Sequence, residues 1–319
     1  MSVILIVADG TGFAHYSTLL QNHRSRRIFK RFPRTILVNT APPSSYRQHK
    51  KCIDSDHLRP VTESASSATA MSTGRWVPPG YIATDHSGRR LKTITEHIRD
   101  RYDIGLICTT EFSDATPAAF FAHSDDRSRY EHIAEQVLAF GLSVMVSGGE
   151  RMAQLIRHAY LLPRFSKLLS EKEWVDHNTR GVHDVAKHLT TVVNKQLQKP
   201  FFLLVEESNV DKASHNEDVK QTTCELTSLV NTVDSALKYV EDAENETTLI
   251  LISDHSTGAA TVKDKNERYS QFTFGSGDHD GHIVPMFMAG HACHDVMPEQ
   301  GLLDMVDVYK ILKQLTKRT

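Results

Sequence analysis

Short apolar segments rich in β-branched residues alternate along this chain with segments whose apolar residues recur at helical spacing. The short segments predict buried strands at Val3–Val7, Ile36–Val38, Ile104–Cys108, Val144–Ser147, Phe201–Val205, Thr248–Ile252 and Ile283–Met288. The helical spacing predicts helices at Thr93–Tyr102, His132–Phe140, Lys187–Gln196, Asp218–Val240 and Met305–Leu315. Strands separated by helices pair in parallel, so the pattern predicts an α/β fold with three layers, α/β/α, around a central mostly parallel sheet. In such sheets the functional site lies at the carboxyl ends of the strands.

The composition indicates one globular domain. Of the 319 residues, 39% are hydrophobic and 24% are charged, which is enough to bury a large core, and no repeat or linker divides the chain. We therefore expect a single domain over residues 1–319. Two polar segments rich in Pro or Gly, residues 75–92 and 260–280, are expected to form irregular loops within it.

The charge and hydropathy of the chain limit its partners. A formal net charge of −2 provides no basic field for nucleic acid, and no segment approaches the ~20 apolar residues of a membrane-spanning helix. We expect neither a nucleic-acid partner nor a membrane partner.

The four cysteines are widely spaced and indicate free thiols: Cys52, Cys108, Cys224 and Cys293. The first residues form a core strand rather than a signal peptide, which indicates a cytoplasmic protein, or an exported one if this is the mature form.

Acidic and imidazole side chains follow three of the predicted strands at the point where each strand ends. They are Asp9 after the first strand, Glu206, Asp211 and His215 after Phe201–Val205, and Asp254 with His255 after Thr248–Ile252. The carboxyl ends of parallel strands meet at one edge of a sheet, so these groups are expected to lie together. Carboxylate with neutral imidazole is a ligand set typical of zinc, and carboxylates with a hydroxyl suit magnesium. Taken singly, each of these residues is also compatible with a turn or capping role.

Ser64 begins a run of small residues that continues to Gly74. The run predicts a helix that ends at this glycine. A serine in the first helical turn lies beside free backbone N–H groups and the positive end of the helix dipole, where a phosphoryl group is stabilised. Taken alone, this sequence position favours an ordinary serine cap over a role in chemistry.

Six segments of the chain resemble, in order, the motifs of the alkaline phosphatase family. They are IVADGTG (residues 6–12), VTESASSATA (61–70), TEFSDATPAA (110–119) with Arg127 beyond it, VEESNVDKASH (205–215), SDH (253–255) and HDGHIVP (279–285). The match in internal spacing covers nearly the whole chain. It implies the three-layer fold of that family and a single catalytic domain.

The resemblance implies three metal ions, two Zn²⁺ and one Mg²⁺. The first zinc would be held by Asp211, His215 and His279, the second by Asp254, His255 and a bridging Asp9, and the magnesium by Asp9, Thr116 and Glu206. Ser64 would be the nucleophile, and Arg127 would clamp two phosphate oxygens through its planar guanidinium. Asp114 and Lys212 would support this arrangement from beside the magnesium and the phosphate.

These assignments imply a hydrolase that acts on small phosphate monoesters through a phosphoserine intermediate. Its products would be inorganic phosphate and an alcohol. Serine is a poor nucleophile at neutral pH, and metal coordination lowers the free energy of its alkoxide. A phosphodiesterase, a phosphomutase or a phosphate-binding relative without turnover are the alternatives. A mutase needs a second phosphate pocket, and a diesterase needs room for a second ester group.

The chain departs from the family pattern in two respects. Glu63 stands where the family usually has Asp before the nucleophile, so the carboxylate that would orient Arg127 is one methylene longer and could loosen the clamp. The segments between Arg151 and Pro200 and between His255 and His279 are shorter than in members that carry a dimer-capping crown. We therefore expect the crown to be missing, which leaves monomer and homodimer both open.

Overall fold

A computed structural model describes residues 1–43, 61–148, 174–176, 184–198, 200–262, 272–296 and 301–317 of the chain. The strands are β1 Ser2–Ala8, β2 Arg34–Asn39, β3 Asp103–Cys108, β4 Val144–Ser147, β5 Trp174–Asp176, β6 Phe201–Glu207, β7 Thr247–Ile252, β8 Ser256–Thr257, β9 Thr261–Val262, β10 Phe272–Thr273, β11 His279–Asp280, β12 Val284–Gly290 and β13 Leu302–Asp304.

The helices of these residues are α1 Phe13–Leu19, α2 His23–Phe29, α3 Ser64–Thr73, α4 Ile94–Ile98, α5 Ala115–Phe121, α6 Tyr130–Phe140, α7 Val185–Thr191, α8 Asn209–His215, α9 Val219–Val240 and α10 Met305–Leu315. A π-helical turn, Val192–Gln196, continues α7, and a 3₁₀ turn, Ala243–Asn245, precedes β7.

Nine of the described strands form one sheet in the order β13-β2-β12-β7-β1-β6-β3-β4-β5. Within it β12 runs antiparallel to both of its neighbours, and the other described pairs are parallel. Alternate residues of the buried strand β1 enter two separate cores: Val3, Leu5 and Val7 face one, and Ile4 and Ile6 face the other. Helices α3, α4, α5, α6 and α10 cover the first core, and α1, α2, α7 and α9 cover the second. The predicted three-layer α/β/α fold is confirmed.

All seven predicted strands are present, and so are all six predicted helical regions, including the helix that starts at Ser64 and ends before Gly74; most have shifted boundaries. The predicted helix Thr93–Tyr102 is only the five residues of α4, because Thr93 and Glu96 form a capping box that starts it and the chain turns into β3 soon afterwards. Four seven-residue helices (α1, α2, α5 and α8) and the edge strands β5 and β13 were not predicted. A helix of two turns is too short to show a clear apolar period.

The expectation for the two irregular loops is confirmed for one and corrected for the other. Residues 75–92 form a loop with only isolated bridges, Ile82 to Ser124 and Thr84 to Arg90. Within 260–280, short ladders pair β9 with β10 and β11 with β8, and residues 263–271 lie outside the described part of the chain. Most of the 151–200 segment, on which the missing crown was inferred, also lies outside the described residues.

Cys108, Cys224 and Cys293 are free thiols, as predicted, and Cys52 lies outside the described residues. Among the described helices, none combines the length and apolar character that crossing a bilayer requires.

Candidate metal centre and nucleophile

The register of the central strands places the candidate residues at one edge of the sheet. Val7 of β1 is paired with both Glu206 of β6 and Ile252 of β7, so the three strands end at the same level. Asp9 and Asp254 follow directly beyond these ends, and α8, which carries Asp211 and His215, begins just beyond β6. The strand-end residues predicted from the sequence therefore converge because parallel pairing aligns their strands.

The Nε2 atom of His255 lies at the centre of one group of ligand atoms. It is 3.2 Å from Oγ of Ser64, 3.4 Å from Oδ1 of Asp9 and 3.2 Å from Oδ2 of Asp254. His255 and Asp254 are fully buried, and Ser64 and Asp9 are nearly so. The structure thus brings the predicted nucleophile into contact with the predicted second metal group.

A second group adjoins the first. Nε2 of His215 is 3.3 Å from Oδ2 of Asp211 and 3.0 Å from Nε2 of His279, and Nε2 of His279 is 3.7 Å from Oδ1 of Asp211. The rings of His255 and His279 stack with centroids 3.8 Å apart. Two sets of three candidate ligand atoms can be formed, and within each set the atoms lie within 4.8 Å of one another. One set is Asp9, Asp254 and His255, and the other is Asp211, His255 and His279. His255 contacts both sets.

Three polar contacts orient the imidazoles. Nδ1 of His215 faces the carbonyl oxygen of Gly277 at 2.6 Å, and Nδ1 of His279 faces that of Thr62 at 3.1 Å. A carbonyl oxygen only accepts, so Nδ1 of each ring carries its proton. The Thr257 hydroxyl donates to Asp211, which leaves its oxygen free to accept from Nδ1 of His255 at 3.2 Å. Each ring therefore presents Nε2 as the atom that can bind a metal ion.

The carboxylates of the centre are buried together without enough positive charge. Burial, and then Asp254, raises the pKa of Asp9. Burial, and then Asp211, raises the pKa of Asp254 to about 7, and burial with Asp114 raises that of Glu206 to about 8. Three buried oxygen atoms among the predicted ligands have no hydrogen-bond partner: Oδ1 of Asp9, Oδ2 of Asp254 and Oγ1 of Thr116. Unpaired oxygens and mutually repelling carboxylates fit a site for divalent cations.

The hydrogen bond between His215 and Asp211 supports the same interpretation. That bond raises the pKa of His215 to about 9. A proton held between an imidazole and a carboxylate fills the position that a divalent cation would take.

The predicted magnesium corner is formed by β6 and the start of α5. Asp114 is the N-cap of α5, where its Oδ1 accepts the N–H of Ala115 at 2.8 Å, and this places Thr116 in the first turn. The Thr116 hydroxyl is close enough to Glu206 to favour its charged form, although no hydrogen bond of good geometry joins them. Thr110 reaches Oε2 of Glu206 at 3.5 Å.

The small residues of α3 allow the nucleophile helix to lie deep in the protein. All ten residues of α3 are buried, and its hydroxyl groups donate to carbonyls of three other segments. Ser66 donates to Val77 at 2.7 Å, Ser67 to Asp254 at 2.7 Å and Ser72 to Ala119 at 2.6 Å. The bond from Ser67 ties α3 to the end of β7, and it fixes Ser64 beside His255.

Glu63 is the N-cap of α3 and joins three parts of the site. Its Oε1 accepts from Ser66 N at 2.8 Å and from Gly80 N at 3.0 Å. Its Oε2 accepts from Ala65 N at 3.0 Å and from Nη1 of Arg127 at 2.6 Å. The longer Glu63 side chain thus reaches the Arg127 guanidinium and also bonds the 75–92 loop through Gly80.

Arg127 is held between two carboxylates. Its Nη2 donates to Oδ1 of Asp114 at 3.1 Å, and Nζ of Lys212 lies 3.9 Å from the other oxygen of Asp114. Burial opposes the charge on Arg127, but Glu63 and Asp114 outweigh it and raise its pKa above the usual range. A positively charged guanidinium and ammonium therefore lie on the Asp114 side of the centre.

Sequence reasoning missed several residues that shape the centre. Gly10 has φ +69, its N–H donates to Oδ1 of Asp254 at 3.1 Å, and a Cβ there would lie 2.6 Å from Asp211, so no other residue fits. His15 accepts the N–H of Gly12 at 3.0 Å and contacts Ser214 of α8 at 3.3 Å. Burial lowers the pKa of His15 to about 4. For Gly10, the available sequence signal was a glycine directly after a strand end. For His15, nothing in the sequence gave a signal.

Taken together, the fold and the site define an α/β protein with a buried candidate metal centre and a serine at a helix N-terminus. The family model described as alkaline phosphatase matches residues 1–159 and 160–292. The chain belongs to the alkaline phosphatase family.

Known proteins resemble the chain at low identity. Alkaline phosphatase 3 of Bacillus subtilis (strain 168) is 26% identical over 298 residues, which is 82% of this chain and 62% of that protein. Streptomycin-6-phosphate phosphatase of Streptomyces griseus is 37% identical over 131 residues, 40% of this chain and 27% of that protein. The chain therefore spans less than two thirds of the length of these relatives.

Among solved structures, the alkaline phosphatase from the Antarctic bacterium TAB5 superposes with a TM-score of 0.79 at 21% identity and covers 99% of this chain and 98% of its own. At this identity the likeness shows the fold. A variant of the TAB5 enzyme is described with Mg bound in its M3 site.

Proposed function

We propose that this protein is a metal-dependent phosphomonoesterase in which Ser64 attacks phosphorus and forms a phosphoserine intermediate. The observation that carries the proposal is the contact of Ser64 Oγ with the ligand group around Nε2 of His255, at 3.2 Å. A serine that only capped its helix would accept from backbone N–H groups, but in α3 the side chain of Glu63 does this instead. Ser64 is thereby left free for chemistry.

The proposed cofactors are two Zn²⁺ and one Mg²⁺, held by the residues that the family resemblance implies. The fit rests on Nε2 atoms free for coordination, on the unpartnered oxygens of Asp9, Asp254 and Thr116, and on the excess of buried carboxylate. The bound ions would supply Lewis acidity that stabilises the alkoxide of the nucleophile and the oxygen of the leaving group. Magnesium in the M3 site of a variant of the TAB5 alkaline phosphatase supports the third ion.

The protein's own residues would bind and orient the substrate. The guanidinium of Arg127 and the ammonium of Lys212 match the negative charge on the non-bridging oxygens of a phosphoryl group. Ser64 Oγ forms the new bond to phosphorus as the ester oxygen departs on the opposite face. Water then cleaves the phosphoseryl ester, so that one ester and one water give one alcohol and one inorganic phosphate.

A monoester fits this charge arrangement better than a diester does. A monoester dianion offers more negative charge to Arg127 and Lys212, whereas the second ester group of a diester would have to lie against these cations. We infer a broad range of small phosphate monoesters as substrates. We also infer that residues 1–319 act as one catalytic domain, because strands from both ends of the chain share one sheet.

Hydrolysis of an aryl phosphate tests the proposal directly. The protein, loaded with Zn²⁺ and Mg²⁺, is assayed at alkaline pH with p-nitrophenyl phosphate and, in parallel, with the corresponding bis-aryl diester. We expect turnover of the monoester to be faster by at least about a hundredfold. Preference for the diester, or phosphate binding without turnover, would replace the proposal by one of the alternatives.

A further inference from the structure

A buried histidine outside the metal centre lies where the backbone carrying Arg127 meets the 75–92 loop. His123 is 7% exposed. Residues 123–127, here called the clamp segment, link α5 to α6 and end at Arg127. None of the metal-ligand assignments above involves His123, and no step of the proposed reaction uses it.

The clamp segment is bonded to the 75–92 loop at both of its ends. Ser124 exchanges two backbone hydrogen bonds with Ile82, of 2.8 and 2.9 Å, and Arg127 N donates to the Gly80 carbonyl at 2.7 Å. Gly80 N in turn donates to Glu63. The position of the loop therefore sets how far Arg127 lies from α3, the helix that carries Ser64.

The loop is strained where His123 contacts it. Ala83 has φ +38, a conformation that residues other than Gly rarely adopt. Its N–H donates to the Thr69 hydroxyl at 2.9 Å, and its carbonyl accepts from Leu91 N at 2.8 Å. The same carbonyl oxygen lies 2.8 Å from Nδ1 of His123. Such a conformation persists only when its surroundings hold it in place.

Both ring nitrogens of His123 face atoms that can only accept. Nδ1 faces the Ala83 carbonyl, and Nε2 faces Oε1 of Glu96 at 3.0 Å. The other oxygen of Glu96 accepts Thr93 N at 2.8 Å. Two acceptors require two N–H donors, so the ring is satisfied only as the doubly protonated imidazolium.

The surroundings of the ring support this protonation state. Burial opposes ionisation of Glu96, but its hydrogen bond with His123 and its bond with Thr93 lower its pKa to about 2, so it is a carboxylate. Gln136 of α6 is neutral and holds both backbone groups of His123, accepting its N–H at 3.1 Å and donating to its carbonyl at 2.9 Å. Among the described residues, Glu96 is the charged group that contacts the ring.

We propose that His123 is a positioning residue for Arg127. As an imidazolium it donates one hydrogen bond to the Ala83 carbonyl and one to Glu96. These bonds hold the loop and the clamp segment where the Arg127 guanidinium can bind phosphate. The inference rests on the proposed function, because it assigns Arg127 to phosphate. Loss of either ring proton would leave a lone pair facing an acceptor. One of the two hydrogen bonds by which His123 links α4 to the loop would then be lost.

Three variants test the proposal through the inhibition constant of inorganic phosphate and the kcat and KM for p-nitrophenyl phosphate. His123→Asn removes the two-ended donor, and we expect the inhibition constant to rise about tenfold while kcat changes less than about threefold. His132→Asn, which alters an exposed histidine on α6, is the matched control and should change neither value. Equal loss in kcat and affinity, or unchanged affinity, would overturn the proposal.

Glu96→Gln provides the sharper comparison. The new amide can still accept from Thr93 and can donate to Nε2 of a neutral ring, whose Nδ1–H still reaches Ala83, so we expect phosphate affinity close to that of the wild type. A phosphate inhibition constant for Glu96→Gln as high as that of His123→Asn would contradict the proposal.

A direct measurement covers the case in which His123→Asn fails to fold. Nitrogen-15 NMR of the wild-type protein labelled at histidine should show both ring nitrogens of His123 protonated at neutral pH, with assignment from the Glu96→Gln spectrum. A single protonated nitrogen would refute the inference. The proposed function fails separately: if the wild type shows no turnover, or if Arg127→Ala leaves phosphate affinity unchanged, the error lies in the function and not in the role of His123.

Discussion

The two sides of the candidate site are stabilised in different ways. On the Asp9 side, oxygen atoms of Asp9, Asp254 and Thr116 are buried without a hydrogen bond, and the carboxylates repel one another. On the Arg127 side, the charged groups are paired, with Arg127 held by Glu63 at 2.6 Å and by Asp114 at 3.1 Å. The first side is arranged to be completed by cations, and the second is organised by the protein alone. Removing metal should therefore disturb the two sides unequally.

The largest effect is expected from Ser64, which joins the two sides. Ser64→Ala should lower kcat by at least about a thousandfold, because Ser64 supplies the hydroxyl that contacts Nε2 of His255 in the described part of the chain. Bound zinc and magnesium, measured by elemental analysis, should stay unchanged. Ser87→Ala, on an exposed turn, is the control. Retention of a large share of activity would mean that water, and not Ser64, attacks phosphorus.

Metal removal tests the Asp9 side by itself. A chelator should abolish turnover and lower the unfolding temperature, because buried carboxylates lose the charge that offsets them. Under these conditions Asp254→Asn should be more stable than the wild type, since it removes a buried negative charge, whereas in the loaded protein it should be less stable. Thermal unfolding of both proteins, with and without metal, gives the four values. If the same one of these two proteins is the more stable with metal and without it, the Asp9 side is not stabilised by cations as described.

Arg127→Ala tests the other side. We expect the inhibition constant of phosphate to rise about a hundredfold with unchanged metal content, because a two-armed cation held by two carboxylates is lost from the proposed phosphate-binding side. Arg24→Ala, an exposed arginine on α2, serves as the matched control. A loss of bound metal in Arg127→Ala would show that the two sides are not independent.

The smallest effect is expected for Glu63→Asp, the residue that the family pattern usually has. The shorter carboxylate can still cap α3, since Asp is a good N-cap, but it cannot hold Gly80 and Arg127 at the same time. We expect phosphate affinity to fall about threefold and the unfolding temperature by a few degrees or less, measured by inhibition and thermal unfolding. Tighter binding would mean that Glu63 strains the clamp rather than supporting it.

The sequence predicted the parts of the fold that depend on local pattern. Val3–Val7 and Thr248–Ile252 are continuous apolar runs, and buried parallel strands require them. The seven-residue helix α8 was not predicted, because its core-facing residues are too few for a period, although Asp211 and His215 at helical spacing lie on it. Long elements have a sequence signal, and short ones are stabilised mainly by tertiary packing.

The same distinction applies to the site. Asp9 and Asp254 were predicted to lie together because each stands within two residues of a strand end, and strand ends meet wherever parallel strands pair. The orienting partners of the imidazoles could not be found. Thr62 and Gly277 act through backbone carbonyls, which every residue possesses, so only the folded chain selects them.

The sequence by itself determined the layered fold, the candidate ligands at the strand ends and the serine at a helix start, because these follow from apolar periodicity and residue type. Only the tertiary structure decided that His255 contacts both ligand groups, that Glu63 reaches Arg127 and Gly80 together, and that His123 stands between two acceptors. The physical reason is that hydrogen-bond partners distant in sequence are set by how the layers pack. That packing depends on the whole core at once and leaves no local signal in the chain.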